Sequence, residues 1–217
     1  NVVSMAADRK NNVWLLSYKG MYKISPDGTL GMVKAMDSFF KQIKSFPTDI
    51  KTDQDDRVWM ITTFGSLCEY DPVKETFSYY DTPEKDKTEA YGNNLNFDKS
   101  GNIWLGTSNG LKYFDRQKKS FLLFPQTYKN QLKNAFINQI CVDSFGTVWI
   151  GTLSEGIIRY EEKTILQSYT YQKDDKKSFT PGWANNIIET TGGNILVSTV
   201  GQARNSGLNL LVILLFP

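Results

Sequence analysis

The sequence predicts an all-β propeller built from about five four-stranded blades, and three observations carry that reading. First, tryptophans recur every 45 residues, at Trp14, Trp59, Trp104 and Trp149. Second, each closes the same phrase: Asp8-Arg-Lys-Asn-Asn-Val-Trp14, Asp53-Gln-Asp-Asp-Arg-Val-Trp59, Asp98-Lys-Ser-Gly-Asn-Ile-Trp104 and Asp143-Ser-Phe-Gly-Thr-Val-Trp149. A decayed copy, Thr190-Thr-Gly-Gly-Asn-Ile-Leu196, follows 47 residues after the fourth. Third, the segment holding the Trp is apolar on both faces, as in Ile103-Trp-Leu105, which suits a strand sandwiched between neighbours. A period of about 40 to 50 residues is what one four-stranded blade requires.

Each element of the repeat has a local cause. Strand A is an apolar stretch such as Asn138-Gln-Ile-Cys-Val142. It ends at the Asp, or Thr190, of the phrase. Three residues later stand Asn11, Asp56, Gly101, Gly146 and Gly193, types that tolerate the left-handed backbone of a tight turn, and the Asp can bond the turn amides. Asp-x-x-Gly therefore predicts a hairpin into strand B. That strand ends at a small hydroxyl residue, Ser17, Thr62, Thr107, Thr152 or Thr199, and a loop glycine follows in Gly20, Gly65, Gly110 and Gly156. Strand C is expected over Met21 to Ile24, Leu67 to Tyr70, Leu111 to Phe114 and Ile157 to Tyr160. Asp71, Asp115 and Glu161 then turn the chain into a more exposed strand D, typified by Phe77 to Tyr80 and Phe121 to Phe124. No helix beyond short loop turns is expected. The repeats fall at about 1–45, 46–90, 91–134, 135–182 and 183–217. They are expected to form part of a larger propeller of about seven blades.

Composition narrows the function. A net charge of +2 from 25 basic and 23 acidic residues, scattered along the chain, disfavours a nucleic-acid surface. The chain contains no histidine, which removes the commonest general base, the His-dependent nucleophile systems and most zinc sites. No cofactor or metal site is expected. The acidic turn Asp53-Gln-Asp-Asp56 reads as the repeated hairpin with extra charge. The acids outside the repeat, Glu89, Glu155 and Glu189, lie in different copies with no recurring partner, so no acid and base pair for glycoside cleavage stands out. Cys68 and Cys141 fall in non-adjacent repeats and read as buried free thiols. The apolar run Leu208 to Phe216 is far shorter than the ~20 residues that span a bilayer and reads as a truncated or altered terminus, one that would make its end of the chain more adhesive.

The phrases Gly101-Asn-Ile-Trp-Leu-Gly-Thr-Ser-Asn-Gly-Leu111 and Gly146-Thr-Val-Trp-Ile-Gly-Thr152, with the lead-in Asn130 to Ile140, resemble the two-component regulator propeller repeat. The likeness is strongest from about Asp53 to Tyr160. Copies one and two depart from it with Trp14-Leu-Leu-Ser17 and Trp59-Met-Ile-Thr62, and copy five has lost its Trp. The resemblance implies an extracytoplasmic, periplasmic sensor region of Bacteroides-type hybrid two-component systems. Its implied partners are the remaining blades, downstream sensor-kinase domains, an oligosaccharide or other small ligand, and a second copy in a homodimer. A non-catalytic protein-interaction propeller is the alternative, and a streptogramin-lyase-like enzyme is a third reading that the missing histidine disfavours.

With the Asp turns on one rim, the starts of the A strands and the loops after the B strands must share the other. Binding residues favour such loops on a rigid scaffold. This rim gathers Asn93, Asn94, Asn138, Asn185 and Asn186, the loop residues Ser108, Asn109, Ser154 and Glu155, and the aromatics Tyr91, Phe136 and Trp183. Amides beside rings suit a sugar, which needs donors, acceptors and a stacking face. Trp183, outside the tryptophan series and preceded by Pro181-Gly182, is the foremost candidate, with Tyr91, Asn94, Asn109, Asn138, Glu155 and Asn186 beside it. Asn93, Asn138 and Asn185 also fit a purely structural role, bonding backbone where the chain joins the blade.

Overall fold

The computed structural model of the chain describes residues 1–82, 91–122, 132, 135–161, 164–174 and 182–200. The apolar run Leu208 to Phe216, Glu89, and most of the lead-in from Asn130 lie outside these residues. The described part is a succession of antiparallel sheets, each a simple meander. Blade 1 comprises β1 (Val2–Ala7), β2 (Val13–Ser17), β3 (Gly20–Ile24) and β4 (Leu30–Met32). Blade 2 holds β5 (Pro47–Thr52), β6 (Val58–Thr62), β7 (Leu67–Asp71) and β8 (Thr76–Tyr80), and blade 3 holds β9 (Gly92–Phe97), β10 (Ile103–Thr107), β11 (Gly110–Asp115) and β12 (Ser120–Leu122). Blade 4 holds β13 (Ile137–Val142), β14 (Val148–Thr152), β15 (Ile157–Glu161) and β16 (Thr164–Tyr169). Of blade 5 the described residues include β17 (Trp183–Glu189) and β18 (Ile195–Val200). The all-β propeller reading holds.

The phrase works as its residue types predict. Asn11, Asp56, Gly101, Gly146 and Gly193 all have positive φ, between 60° and 92°. Asp8 Oδ1 accepts from the amides of Lys10 and Asn12, and Asp53, Asp98 and Asp143 repeat the pair. The other carboxylate oxygen does something the sequence reading did not include. It accepts the indole N–H of the phrase's own Trp, at 2.9 Å for Asp8 and Trp14 and at 2.8 Å for both Asp53 with Trp59 and Asp143 with Trp149. In blade 3, Asp98 Oδ2 accepts from the Tyr113 hydroxyl at 3.0 Å. In blades 1, 2 and 4 the acid thus fixes both the hairpin and the ring that follows it.

Those rings are the mortar between blades. Trp14 packs with Ile50, Val58 and Met60 of blade 2, Trp59 with Leu95, Ile103 and Leu105 of blade 3, Trp104 with Ile137, Ile140 and Val148 of blade 4, and Trp149 with Ala184, Ile187 and Ile195 of blade 5. All four rings are at most 6% exposed. They are packing residues, as the two-sided apolar pattern of the strand requires. β6, β10 and β14 are buried at every position.

One expectation is corrected. Between blades 1 and 2 runs a helix, α1 (Ala35–Ile43), where only loop turns were expected. Met36, Phe39, Phe40 and Ile43 fall at i, i+3, i+4 and i+7, one face of a helix. That face lies on the core shared by the two blades, with Phe39 stacked on Phe77 at 4.7 Å. Lys44 ends the helix with φ 52°. Both cysteines are free and buried. Burial pushes the Cys141 thiol up to about 11, helped by the charges of Asp143 and Glu189, and pushes Cys68 higher still.

The Asp clamp makes a pH-dependent prediction. Burial alone would raise the Asp8 carboxyl, but bonds from Asn12, Trp14 and Lys10 outweigh it and hold the group below its ordinary value. A lowered folded value means the contribution is complete above roughly pH 5 and is lost as pH falls through the folded value. Asp8→Asn offers one acceptor oxygen to four donors, so it is expected to cost about 1–3 kcal/mol at neutral pH. Urea melts from pH 7 to pH 3 should show the wild type approaching the variant as the acid titrates; a gap that stays constant would count against the clamp.

Candidate ligand-binding rim

The pairing fixes which loops share a rim. The first residue of strand A lies opposite the last of strand B, in Pro47↔Thr62, Gly92↔Thr107 and Ile137↔Thr152. The B–C loops and the chain leading into each A strand therefore gather at one end of the blades. The hydroxyl residues organise this end: Ser17, Thr107 and Thr152 each donate to the carbonyl of the loop glycine, Gly20, Gly110 or Gly156. Backbone bonds then tie the two loops together. Thr63, Ser108 and Leu153 donate their amides to the carbonyls of Phe46, Tyr91 and Phe136, at 2.7, 2.8 and 2.9 Å.

That bond reveals a series the tryptophan period conceals. Phe46, Tyr91, Phe136 and Trp183 each stand one residue before the equivalent positions Pro47, Gly92, Ile137 and Ala184. Trp183 is thus in register after all, with a second, independent aromatic series. Phe46 is 64% and Tyr91 53% exposed, while Phe136 and Trp183 are half-buried. The sequence reading missed Phe46, although its spacing from Tyr91 is the repeat length. Around these rings stand half-buried Asn109, whose amide donates to Thr107 Oγ1, and exposed Glu155, which accepts from Ser154 Oγ at 3.0 Å.

The asparagines divide differently. Asn94 is buried, and its amide bridges blades, donating to Asp49 Oδ2 at 2.9 Å and accepting from the Ile140 amide at 2.9 Å. Asn93 and Asn138 donate to the carbonyls of Ile137 and Ala184, the backbone bond that was the structural alternative for them. A ligand reaching Asn94 or Asn138 would have to displace these bonds. Asn185 and Asn186 are exposed. Thr48, Asn93, Asn138 and Asn185 are each the bulged residue of strand A, and bulges re-aim side chains.

An open cleft of ≈ 330 Å³ lies on the opposite rim, lined by Asp8, Asp53, Gln54, Phe97 and Arg116 among others. Two of its charged groups, Arg116 and Asp53, already pair with each other. Arg116 meets Asp53 at 2.5 Å and lies over the rings of Trp59 and Phe97 at 5.2 and 5.8 Å, so the cleft is a by-product of a blade clamp. The stray acid Glu189 likewise serves a turn, accepting from the amide and hydroxyl of Ser144.

The profile of the two component regulator propeller family matches residues 131–154. No curated protein matches the chain. Among solved structures, the extracellular domain of a hybrid two component system from B. thetaiotaomicron superposes with a TM-score of 0.74 at 21% identity, over 92% of this chain and 26% of that one. A second such domain from the same organism gives 0.72 at 19%, over 93% and 26%. A catalytically inactive virginiamycin B lyase from Staphylococcus aureus gives 0.69 at 14%, over 98% and 70%. The chain thus spans about a quarter of the two extracellular domains. No helix among the described residues is long and apolar enough to cross a membrane. Residues 131–154 match the two component regulator propeller repeat, and the chain has a propeller fold similar to that of the extracellular domains of hybrid two component systems.

Proposed function

We propose that this propeller is an extracytoplasmic, periplasmic ligand-sensing part of a hybrid two-component system, and that it detects a glycan-derived ligand on the rim where the A strands begin. The observation that carries the reading is the aromatic series Phe46, Tyr91, Phe136 and Trp183, one ring at the same position in each of blades 2 to 5, beside the polar groups of Asn109, Ser154 and Glu155. Rings give a sugar its stacking surface and the loops give hydroxyl partners. Signalling itself belongs to downstream sensor-kinase domains, and the sensor part performs no catalysis. The likeness to a lyase supports fold only, and this chain has no histidine.

Calorimetric titration against a panel of oligosaccharides tests the proposal. One glycan class should bind, and Tyr91→Ala and Trp183→Ala should each weaken it roughly tenfold, the loss of one ring contact of about 1.4 kcal/mol. Binding of no saccharide would sink the glycan assignment. Tight binding indifferent to both variants would move the site off this rim. The second reading, a protein-interaction propeller, draws on exposed Tyr18, Phe46 and Leu153 at the same end; it predicts a peptide partner displaced by Phe46→Asp and no response to sugars.

A further inference from the structure

The A strands of successive blades lie side by side around the axis, and the residue after the bulge is polar in each of blades 1 to 4. These residues, Ser4, Asp49, Asn94 and Gln139, stand opposite Leu16, Ile61, Gly106 and Gly151. The first three spend their side chains on the seams. Ser4 Oγ donates to Asp49 Oδ1 at 2.6 Å, and Asp49 Oδ2 accepts from the Asn94 side-chain amide at 2.9 Å and the Leu95 N–H at 3.1 Å. Asn94 Oδ1 accepts from the Ile140 N–H at 2.9 Å. Gln139 differs: it is half-buried, and its carboxamide has no hydrogen bond among the described residues.

The seam that Gln139 faces leaves backbone groups unclaimed that its neighbour fills. Between blades 3 and 4, Asn94 takes the N–H of Ile140 and Asn96 donates to the Ile140 carbonyl at 3.2 Å. Between blades 4 and 5 the equivalent residues are Gln139 and Cys141, opposite Gly151 and Trp149 as Asn94 and Asn96 are opposite Gly106 and Trp104. The place of Ile140 is taken by Ile187, opposite Val197 as Ile140 is opposite Ile150. Antiparallel alternation turns the N–H and C=O of Ile187 away from β18, and neither receives a side chain among the described residues. The strands involved, β13 and β17, are both described over this stretch. Side-chain length is the cause. Gln is one methylene longer than Asn and overshoots the span that Asn94 bridges, while a thiol in the place of Asn96 is a poor donor to a carbonyl.

We infer that Gln139 is a ligand-binding, specificity-determining residue, its carboxamide donating to and accepting from adjacent hydroxyls of a sugar held at the seam of blades 4 and 5, beside Phe136 and Trp183. This rests on the glycan reading and narrows it to one seam of the rim. A primary amide offers a donor and an acceptor side by side, which suits a pair of hydroxyls and leaves stacking to the rings. Gln139 stands three residues beyond Phe136 on the same strand, at most about 10 Å deeper, so the ligand enters along the axis instead of lying across the rim. Asn94 and Asn138 could contact it only by giving up bonds between blades. Gln139 gives up none.

Calorimetric titration with neutral hexasaccharides of glucose, xylose, mannose and N-acetylglucosamine, paired with urea unfolding, tests it. Gln139→Ala should leave the urea midpoint unchanged and weaken the saccharide that binds roughly tenfold or more, whereas Asn94→Ala should lower the midpoint. Gln139→Asn is the sharper variant. Shortened to the length of Asn94, the side chain should take the Ile187 N–H, raising the midpoint above that of the wild type while lowering affinity as far as alanine does. Circular dichroism checks that each variant keeps the fold. A saccharide whose affinity falls with Trp183→Ala but is indifferent to both Gln139 variants overturns the inference and leaves the glycan reading standing. Binding of none of the four overturns both. A midpoint lowered by Gln139→Ala as far as by Asn94→Ala also overturns it, because the carboxamide would then belong to the seam.

Discussion

Trp104→Ala is expected to lower the unfolding free energy by about 3–5 kcal/mol, a large part of the roughly 5–15 kcal/mol that holds a domain together. The ring is nearly inaccessible, sits edge-on to Tyr113 at 4.7 Å and touches Tyr160 of blade 4 at 5.3 Å. Removing it opens a cavity across the seam between blades 3 and 4, whose other wall is Ile137, Ile140 and Ile150. Denaturant titration measures the loss. Tyr91→Ala, on an exposed ring, should stay within about 0.5 kcal/mol. Trp149→Phe should separate the ring from its N–H, keeping much of the volume and losing about 1 kcal/mol with the bond to Asp143. Unchanged stability for Trp104→Ala together with lost ligand affinity would invert the roles assigned to the two aromatic series.

The difference between those series also marks what could be read from the sequence. Trp14, Trp59, Trp104 and Trp149 declare themselves because every neighbour in the phrase recurs with a local cause: the turn acid, the positive-φ residue, the closing hydroxyl. The four strands per repeat follow from that phrase, since each is bounded by turn chemistry. The aromatics at the start of strand A recur as faithfully, but as three residue types, Phe, Tyr and Trp, so no letter repeats. The asparagine clamp was half legible. A bulge can be inferred for Asn93 and Asn138, but whether the re-aimed amide meets ligand or backbone depends on the neighbouring blade, which a single repeat does not contain. Helix α1 was legible in the spacing of Met36, Phe39, Phe40 and Ile43 and was overlooked because the repeated phrase does not extend to it. The Trp-Met-Ile-Thr departure of copy two had no local explanation at all. Its cause lies one blade away.

Gly92→Ala is expected to be severely destabilising and beyond rescue, whereas Gly106→Ile is expected to be destabilising and rescued by Ile137→Gly. In the seam between blades 3 and 4 the strand B position is small and the facing strand A position large: a Cβ on Gly106 would lie 2.6 Å from Ile137 Cγ2. Between blades 2 and 3 the sizes are exchanged, Ile61 filling the space left by Gly92, so copy two can lack the glycine of copies three and four because the next blade supplies one. Gly106→Ile alone should cost about 3 kcal/mol through overpacking, and Ile137→Gly alone about 2–5 kcal/mol through the cavity. The double variant recreates the exchanged pair and should recover roughly 1–3 kcal/mol relative to the sum of the singles. Gly92 differs in what it faces. Its Cβ would meet the Ile61 side chain at 2.6 Å but also the Thr62 carbonyl oxygen at 2.3 Å. Trimming Ile61 to Gly removes the first clash and leaves the second, because a backbone carbonyl in a seam strand cannot step aside without parting the blades. A double-mutant cycle on each seam, read by chemical denaturation, decides it: strong coupling at positions 106 and 137 with none of the Gly92→Ala loss recovered by Ile61→Gly is the expected pattern. Full recovery of Gly92→Ala by Ile61→Gly would show that side-chain volume alone sets blade spacing, and that the main chain yields where the geometry says it holds.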